Sequence, residues 1–185
     1  MENKKIGIIV GSIRRDAYTG MVADYLIQHS PAGYQFERIG IANLPLYNQD
    51  YDSEGEPDSY APFRAQVKSL DGVILITPEH NRSVPAALKN ALDVGSRPYG
   101  KNVWDRKPAM IISSSISGLS GFGANHHLRQ VLTFLNMPTL QQPEVYLANI
   151  QDCFKEDGSL GKEDYGKFLQ KAVAAYLDFA TEFMD

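Results

Sequence analysis

Ile6-Gly-Ile-Ile-Val-Gly-Ser-Ile-Arg-Arg-Asp-Ala-Tyr-Thr-Gly20 is the stretch on which the fold turns. Ile6–Val10 reads as a buried strand, because it is short, rich in β-branched residues and bounded by glycine. From Tyr18 the pattern changes to a helical stripe of Tyr18, Val22, Leu26 and His29. Gly11–Gly20 therefore joins a first strand to a first helix. Small and hydroxyl-bearing residues there leave backbone N–H groups free at the helix N-terminus, where an anion is favoured. Arg14 adds a planar fork of donors suited to phosphate. The loop has neither the Lys of a triphosphate-binding loop nor G-x-G-x-x-G, which leaves a mononucleotide phosphate or simple helix capping.

Outward from that stretch, apolar runs and helical stripes alternate. Strands are expected at Gln35–Ile39, Gly72–Ile76, Pro108–Ser114 and near Gln142–Leu147. Helices are expected near Pro62–Ser69, from about Val84, after the glycine-rich segment Ser117–Gly123, and over Lys162–Phe183. Ser83 is the expected cap of the helix carrying Leu88, Ala91, Leu92 and Gly95, with Pro85 in its first turn. Five strands interleaved with helices predict one α/β domain over residues 1–185, a flavodoxin-like three-layer sandwich with a parallel sheet ordered 2-1-3-4-5. In that order ligands bind beyond the strand C-termini, at the switch point between the first and third strands. The rule selects three loops: Gly11–Gly20, Thr77–Ser83 and Ser115–Gly123.

Composition narrows the function classes. Hydrophobic residues make up 43% of 185 and charged residues 22%, with a formal net charge of −4, so no nucleic-acid or polyanion surface is expected. No apolar run reaches membrane-spanning length and no signal peptide is read, which favours the cytoplasm. The single cysteine, Cys153, excludes an internal disulfide and a cysteine-ligated cluster. His126-His127 are adjacent on a helix and point apart, so they make a poor metal pair. Ser114 and Ser115 lack a G-x-S-x-G frame, which argues against a hydrolase.

Two of the loops carry groups suited to a planar ligand. Thr77-Pro-Glu-His-Asn-Arg-Ser83 can present backbone amides and a flat ring at His80, as a flavin requires, or can simply be a polar turn. Ser115-Ile-Ser-Gly-Leu-Ser-Gly-Phe-Gly123 supplies small residues where a ring edge could approach the backbone.

Taken together, Gly11-Ser-Ile-Arg14, Leu44-Pro-Leu-Tyr-Asn48, Thr77-Pro-Glu-His-Asn81, Pro85-Ala-Ala-Leu-Lys-Asn-Ala91 and His127-Leu-Arg-Gln130 resemble the NADPH-dependent FMN reductase family, which includes quinone and chromate reductases. The resemblance runs from Lys5 to Val145 in the family's order. It implies an FMN-binding enzyme in which NADPH or NADH passes a hydride to FMN and then to a quinone or similar small acceptor, with no protein acid or base required. It also implies a homodimer or homotetramer. Carried over by position, Ser12 and Arg14 would hold the FMN phosphate, with Thr19 near the helix start helping, and Tyr18 would also belong to the cofactor site. Pro78, Glu79, His80 and Asn81 would border the ring, and Ser115, Ser117 and Gly118 would approach it from the next loop. The chain departs from the pattern in its phosphate loop, where Ala17 and Thr19 replace the usual Ser and Asn. His80 stands at a common Tyr, and Ser115-Ile-Ser117 replaces a frequent Ser-Pro-Gly. The alternatives are a flavodoxin-like electron carrier and a binding module that has lost its flavin.

Overall fold

The computed structural model describes residues 3–184. Its centre is a five-stranded parallel sheet in the order β2-β1-β3-β4-β5, as expected. The strands are β1 (Lys4–Val10), β2 (Tyr34–Ile39), β3 (Gly72–Pro78), β4 (Ala109–Ser114) and β5 (Val145–Leu147). The helices are α1 (Tyr18–Gln28), α2 (Tyr51–Glu54), α3 (Tyr60–Lys68), α4 (Ala86–Gly95), α5 (Phe122–Phe134) and α6 (Glu163–Ala180), with a 3₁₀ turn at Ile150–Cys153.

Strand alternation divides the core in two. Ile6, Ile8, Val10, Ile74, Ile76, Met110 and Ile112 face α1 and α6, where they meet Val22, Leu26, Leu169, Ala172 and Tyr176. Ile9, Ile39, Val73, Leu75 and Ile111 face the other way, onto Phe63, Val67, Leu88, Leu92, Leu128, Leu132 and Trp104. Both faces of the central strands are covered, which explains why β1, β3 and β4 read as unbroken apolar runs. The one indole N–H inside the second layer is satisfied, since Trp104 Nε1 donates to the Leu92 carbonyl at 3.0 Å.

Several boundaries differ from expectation. β5 is only Val145–Leu147, because Pro143 has no N–H to contribute to a ladder. β2 begins one residue earlier, at Tyr34, and β4 one residue later, at Ala109. α3 starts at Tyr60 and α6 ends at Ala180. Ser83 is not the cap of α4. Pro85 occupies that position with extended φ and ψ, while Ser83 closes a turn with His80 and turns its hydroxyl to His127. On α1 the inward set is Thr19, Val22, Ala23 and Leu26, and His29 is exposed.

Candidate cofactor site at the strand C-termini

The three selected loops converge at the C-terminal ends of β1, β3 and β4. Gly11 N–H bonds to the Ile76 carbonyl at 2.8 Å, so the first loop leaves the sheet hard against β3. Ser115 N–H bonds to the Leu147 carbonyl at 3.0 Å, and Ile150 N–H returns to the Ser115 carbonyl at 3.1 Å. Between these loops lies a cavity of about 240 Å³. Ser12, Arg14, Tyr18, Thr19, Pro78, Glu79 and Ser115 line it, all of them sequence-selected. Ala17, Ser114, Ile116 and Ile150 complete the wall.

The floor is the start of α1. Its cap residue, Ala17, offers no side-chain acceptor, so the helix begins without a side-chain cap. Thr19 is 2% exposed, and its hydroxyl has no hydrogen-bond partner. An unpaired buried hydroxyl costs about 1–3 kcal/mol, and buried polar atoms of this kind are rare enough to call for an explanation. Ser12 Oγ accepts from Arg14 N–H at 3.3 Å, which leaves its own O–H free to donate. The Arg14 guanidinium is held at the loop by a 2.7 Å bond to the Asp16 carbonyl, with further N–H donors to spare. Two hydroxyls, the open end of a helix dipole and a guanidinium with no carboxylate partner among the described residues converge here, while the Glu79 carboxylate in the same wall is engaged by Ala124 and Arg82. The set fits a phosphate monoester. The apolar part of the wall, Pro78, Ile116 and Ile150, fits the less polar remainder of such a ligand. A cavity of this size is below the ~300–1,000 Å³ of a typical ligand pocket, so it has room for only part of a mononucleotide.

Not every expected residue joins this cavity. His80 and Asn81 lie on the other side of the β3–α4 turn, in a groove of about 900 Å³ between α4 and α5 that they share with Ser83, Lys89, His127 and Phe134. Ser117 and Gly118 serve the local fold of their loop: Ser115 Oγ meets Ser117 Oγ and Ser117 N–H at 3.1 Å, and the Gly118 carbonyl accepts from Ser120 Oγ. Arg82 is 73% exposed and paired with Glu79 at 3.1 Å.

The turn itself is tight. His80 and Ser83 exchange both backbone hydrogen bonds, at 2.9 and 3.0 Å, and the two residues between them have positive φ, 50° at Asn81 and 64° at Arg82. This is the geometry of a two-residue type I′ turn. Asn tolerates it; Arg does so at a cost of about 1–2 kcal/mol. Glu79, at the start of the turn, aims its carboxylate across to α5, where Oε2 accepts from Ala124 N–H at 3.2 Å.

Behind the site, Asn90 on α4 is buried and acts as a clamp. Its Oδ1 accepts from Tyr47 N–H at 2.8 Å, and its Nδ2 donates to the Leu44 and Pro45 carbonyls at 3.1 and 2.9 Å. Two of the motifs read separately from the sequence, Leu44–Asn48 and Pro85–Ala91, are thus one interlocked unit. Cys153 is also buried; burial pushes its thiol up, which leaves it a packing residue and not a nucleophile.

The sequence model of the NADPH-dependent FMN reductase family matches residues 4–152. The chain belongs to that family. The match takes in every residue of the cavity wall and ends within the 3₁₀ turn, before α6. Among relatives, a quinone reductase of Pseudomonas putida is 44% identical over 168 residues, 91% of this chain and 90% of that one. A 2-hydroxy-1,4-benzoquinone reductase of a Burkholderia species is 40% identical over 172 residues, 93% of each chain. Among solved structures, the flavoenzyme FerB of Paracoccus denitrificans, an NAD(P)H:acceptor oxidoreductase, superposes with a TM-score of 0.89 at 32% identity. That superposition covers 98% of this chain and 100% of FerB. Membership makes the chain a flavin-dependent oxidoreductase with FMN as its cofactor, and the phosphate-suited cavity agrees with that chemistry.

Proposed function

We propose that the chain is an NAD(P)H-dependent quinone reductase that works through FMN held at the ends of β1, β3 and β4. The observation that carries the residue assignments is the buried, unpaired Thr19 hydroxyl beside Arg14 and Ser12 at an uncapped helix N-terminus. When bound, FMN supplies a ring that accepts two electrons as a hydride from a reduced nicotinamide and returns them to an acceptor. The chain's part is to bind and orient. Ser12, Arg14, Thr19 and the first-turn amides of α1 would take the phosphate. Pro78, the Glu79 peptide, Ser115 and Ile116 would hold the part of the ligand beyond it. Ser117 and Gly118 keep the second wall in shape, and His80 and Asn81 face the donor or acceptor from the neighbouring groove. The Glu79 carboxylate is already committed to Ala124 and Arg82, so it has no free role as an acid or base.

The partners in this reading are NADPH or NADH and a small quinone-like acceptor, in the cytoplasm, on a single domain spanning residues 1–185. The chain also works as a homodimer or homotetramer. The Phe134 ring supports self-association: it is 89% exposed at the rim of the α4–α5 groove, with Val84, Val131 and Leu135 beside it. Light scattering of the purified chain reads the assembly directly. For the cofactor, flavin released by heat and identified by chromatography should be FMN at one per chain. Recovery of FAD, or no flavin after incubation with FMN, would overturn the assignment.

A further inference from the structure

The Glu79 carboxylate is 11% exposed and ties together two segments 45 residues apart in sequence. Oε2 accepts from Ala124 N–H, in the first turn of α5, where helix geometry provides no partner. Oε1 pairs with Arg82, itself one of the two positive-φ residues of the turn. Gly123 shows how close the two segments come. A Cβ at that position would lie 2.9 Å from both the Arg82 carbonyl oxygen and Glu79 Oε2. Any side chain there would have to push the turn and α5 apart. A negative charge at a helix N-terminus is favourable in itself, and three further features converge on the same spot: a glycine with no room for a Cβ, an ion pair, and a non-glycine residue held in the left-handed region.

We infer that Glu79 is a positioning residue whose carboxylate latches the β3–α4 turn to the first turn of α5, so that the two cofactor-facing walls, Pro78–Glu79 and Ser114–Ile116, are held at one fixed separation. The inference rests on the FMN reading for its effect on binding, but the latch itself is independent of cofactor. Glutamine can still accept from Ala124 N–H through Oε1, whereas alanine cannot. Gly123→Ala keeps the Glu79 carboxylate in the chain but displaces it from Ala124 N–H.

The experiment compares Glu79→Gln, Glu79→Ala, Gly123→Ala and the Glu79→Ala/Gly123→Ala double variant with the unaltered chain. The first readout is site-resolved amide exchange of Ala124 without flavin. Protection should persist in Glu79→Gln and be lost in Glu79→Ala. The second is the FMN dissociation constant with the visible circular dichroism of the bound flavin. Glu79→Ala and Gly123→Ala should each raise the dissociation constant about tenfold and alter the spectrum, and Glu79→Gln should stay within about threefold. Both changes break the Glu79–Ala124 contact, while the Cβ of Gly123→Ala also meets the Arg82 carbonyl, so the double variant should fall clearly short of the sum of the two single effects. Ala124 exchange that ignores Glu79→Ala, a Glu79→Gln variant as impaired as Glu79→Ala, or additive effects in the double variant would overturn the latch. If Gly123→Ala does not fold, the glutamine–alanine contrast and the exchange data still decide. An unaltered chain that fails to bind FMN would refute the cofactor reading while leaving the exchange result to judge the latch.

Discussion

Thr19→Val replaces the orphaned hydroxyl with a methyl group of the same shape, and its two effects should have opposite signs. Without flavin, Thr19 is 2% exposed and its Oγ1 has no partner. Removing an unsatisfied buried hydroxyl recovers part of a desolvation cost of about 1–3 kcal/mol. Even the low end raises the melting temperature of a 185-residue chain by about 2–4 °C. Both residues are β-branched, so helix propensity changes little. With flavin, the same substitution removes a donor to the phosphate. A hydrogen bond to a charged group is worth about 1.5–3 kcal/mol, which corresponds to about 10- to 150-fold weaker FMN binding. Thermal denaturation of the flavin-free protein and quenching of FMN fluorescence on titration measure the two quantities separately, with Thr19→Ser as the control that keeps the hydroxyl. A destabilised flavin-free variant, or one that binds FMN as the unaltered chain does, would refute the claim that this hydroxyl waits for the cofactor.

Arg14→Ala should weaken FMN binding by about one to two orders of magnitude, while Arg15→Ala should leave it nearly unchanged; equal effects in the same titration would remove Arg14 from the phosphate site. Asn90→Ala strips the clamp from the Leu44–Asn48 loop and leaves buried backbone groups unpaired, so urea denaturation should show a loss of about 2–3 kcal/mol; a loss under half that would mean that the loop is held by packing alone. Burial first, and then Glu144, push the Tyr146 hydroxyl up to about 12. A raised folded-state pKa contributes stability that is intact below pH ~10 and lost as pH climbs toward 12. Tyr47, Tyr60, Tyr165 and Tyr176 are also pushed up by burial, so Tyr146→Phe should shrink that alkaline limb by the Tyr146 share and leave the pH dependence near neutrality unchanged. A limb unchanged in the variant would place the titration elsewhere.

How legible the molecule was in its sequence depended on whether the signal was local. β1, β3 and β4 could be read directly, because strands covered on both faces must be apolar at every position, and Gly11, Pro78 and Ser115 punctuate their ends. Strand order followed from the alternation of strands and helices, and the site's location followed from that order. What escaped were consequences of contacts distant in sequence. Nothing near Glu79 announces that its carboxylate meets Ala124. The conjunction of an acidic residue before a tight turn with a glycine at the second position of a later helix could have raised the question. Ile150 enters the cavity wall from a 3₁₀ turn after a three-residue strand, a segment with no periodicity to read. Ser83 looked like a cap because Ser commonly is one, yet the His80–Ser83 backbone exchange takes it into the turn and leaves Pro85 to begin the helix. Thr19 showed the opposite case: its position at a helix start was legible, whereas its isolation from every protein acceptor was visible only in three dimensions. The Asn90 clamp was announced by a polar residue in an otherwise apolar helix face, a signal whose partner loop the sequence did not name.

The central claim, reduction by a nicotinamide through FMN held at this site, is tested most directly by the visible spectrum of the purified, FMN-loaded protein under anaerobic conditions. Addition of NADPH or NADH should bleach the oxidised-flavin absorption at a rate fast enough to support turnover. Subsequent addition of a quinone should restore it fully. A flavin spectrum that persists through addition of both nicotinamides, while a chemical reductant bleaches it at once, would contradict the account and leave an electron carrier in place of a reductase.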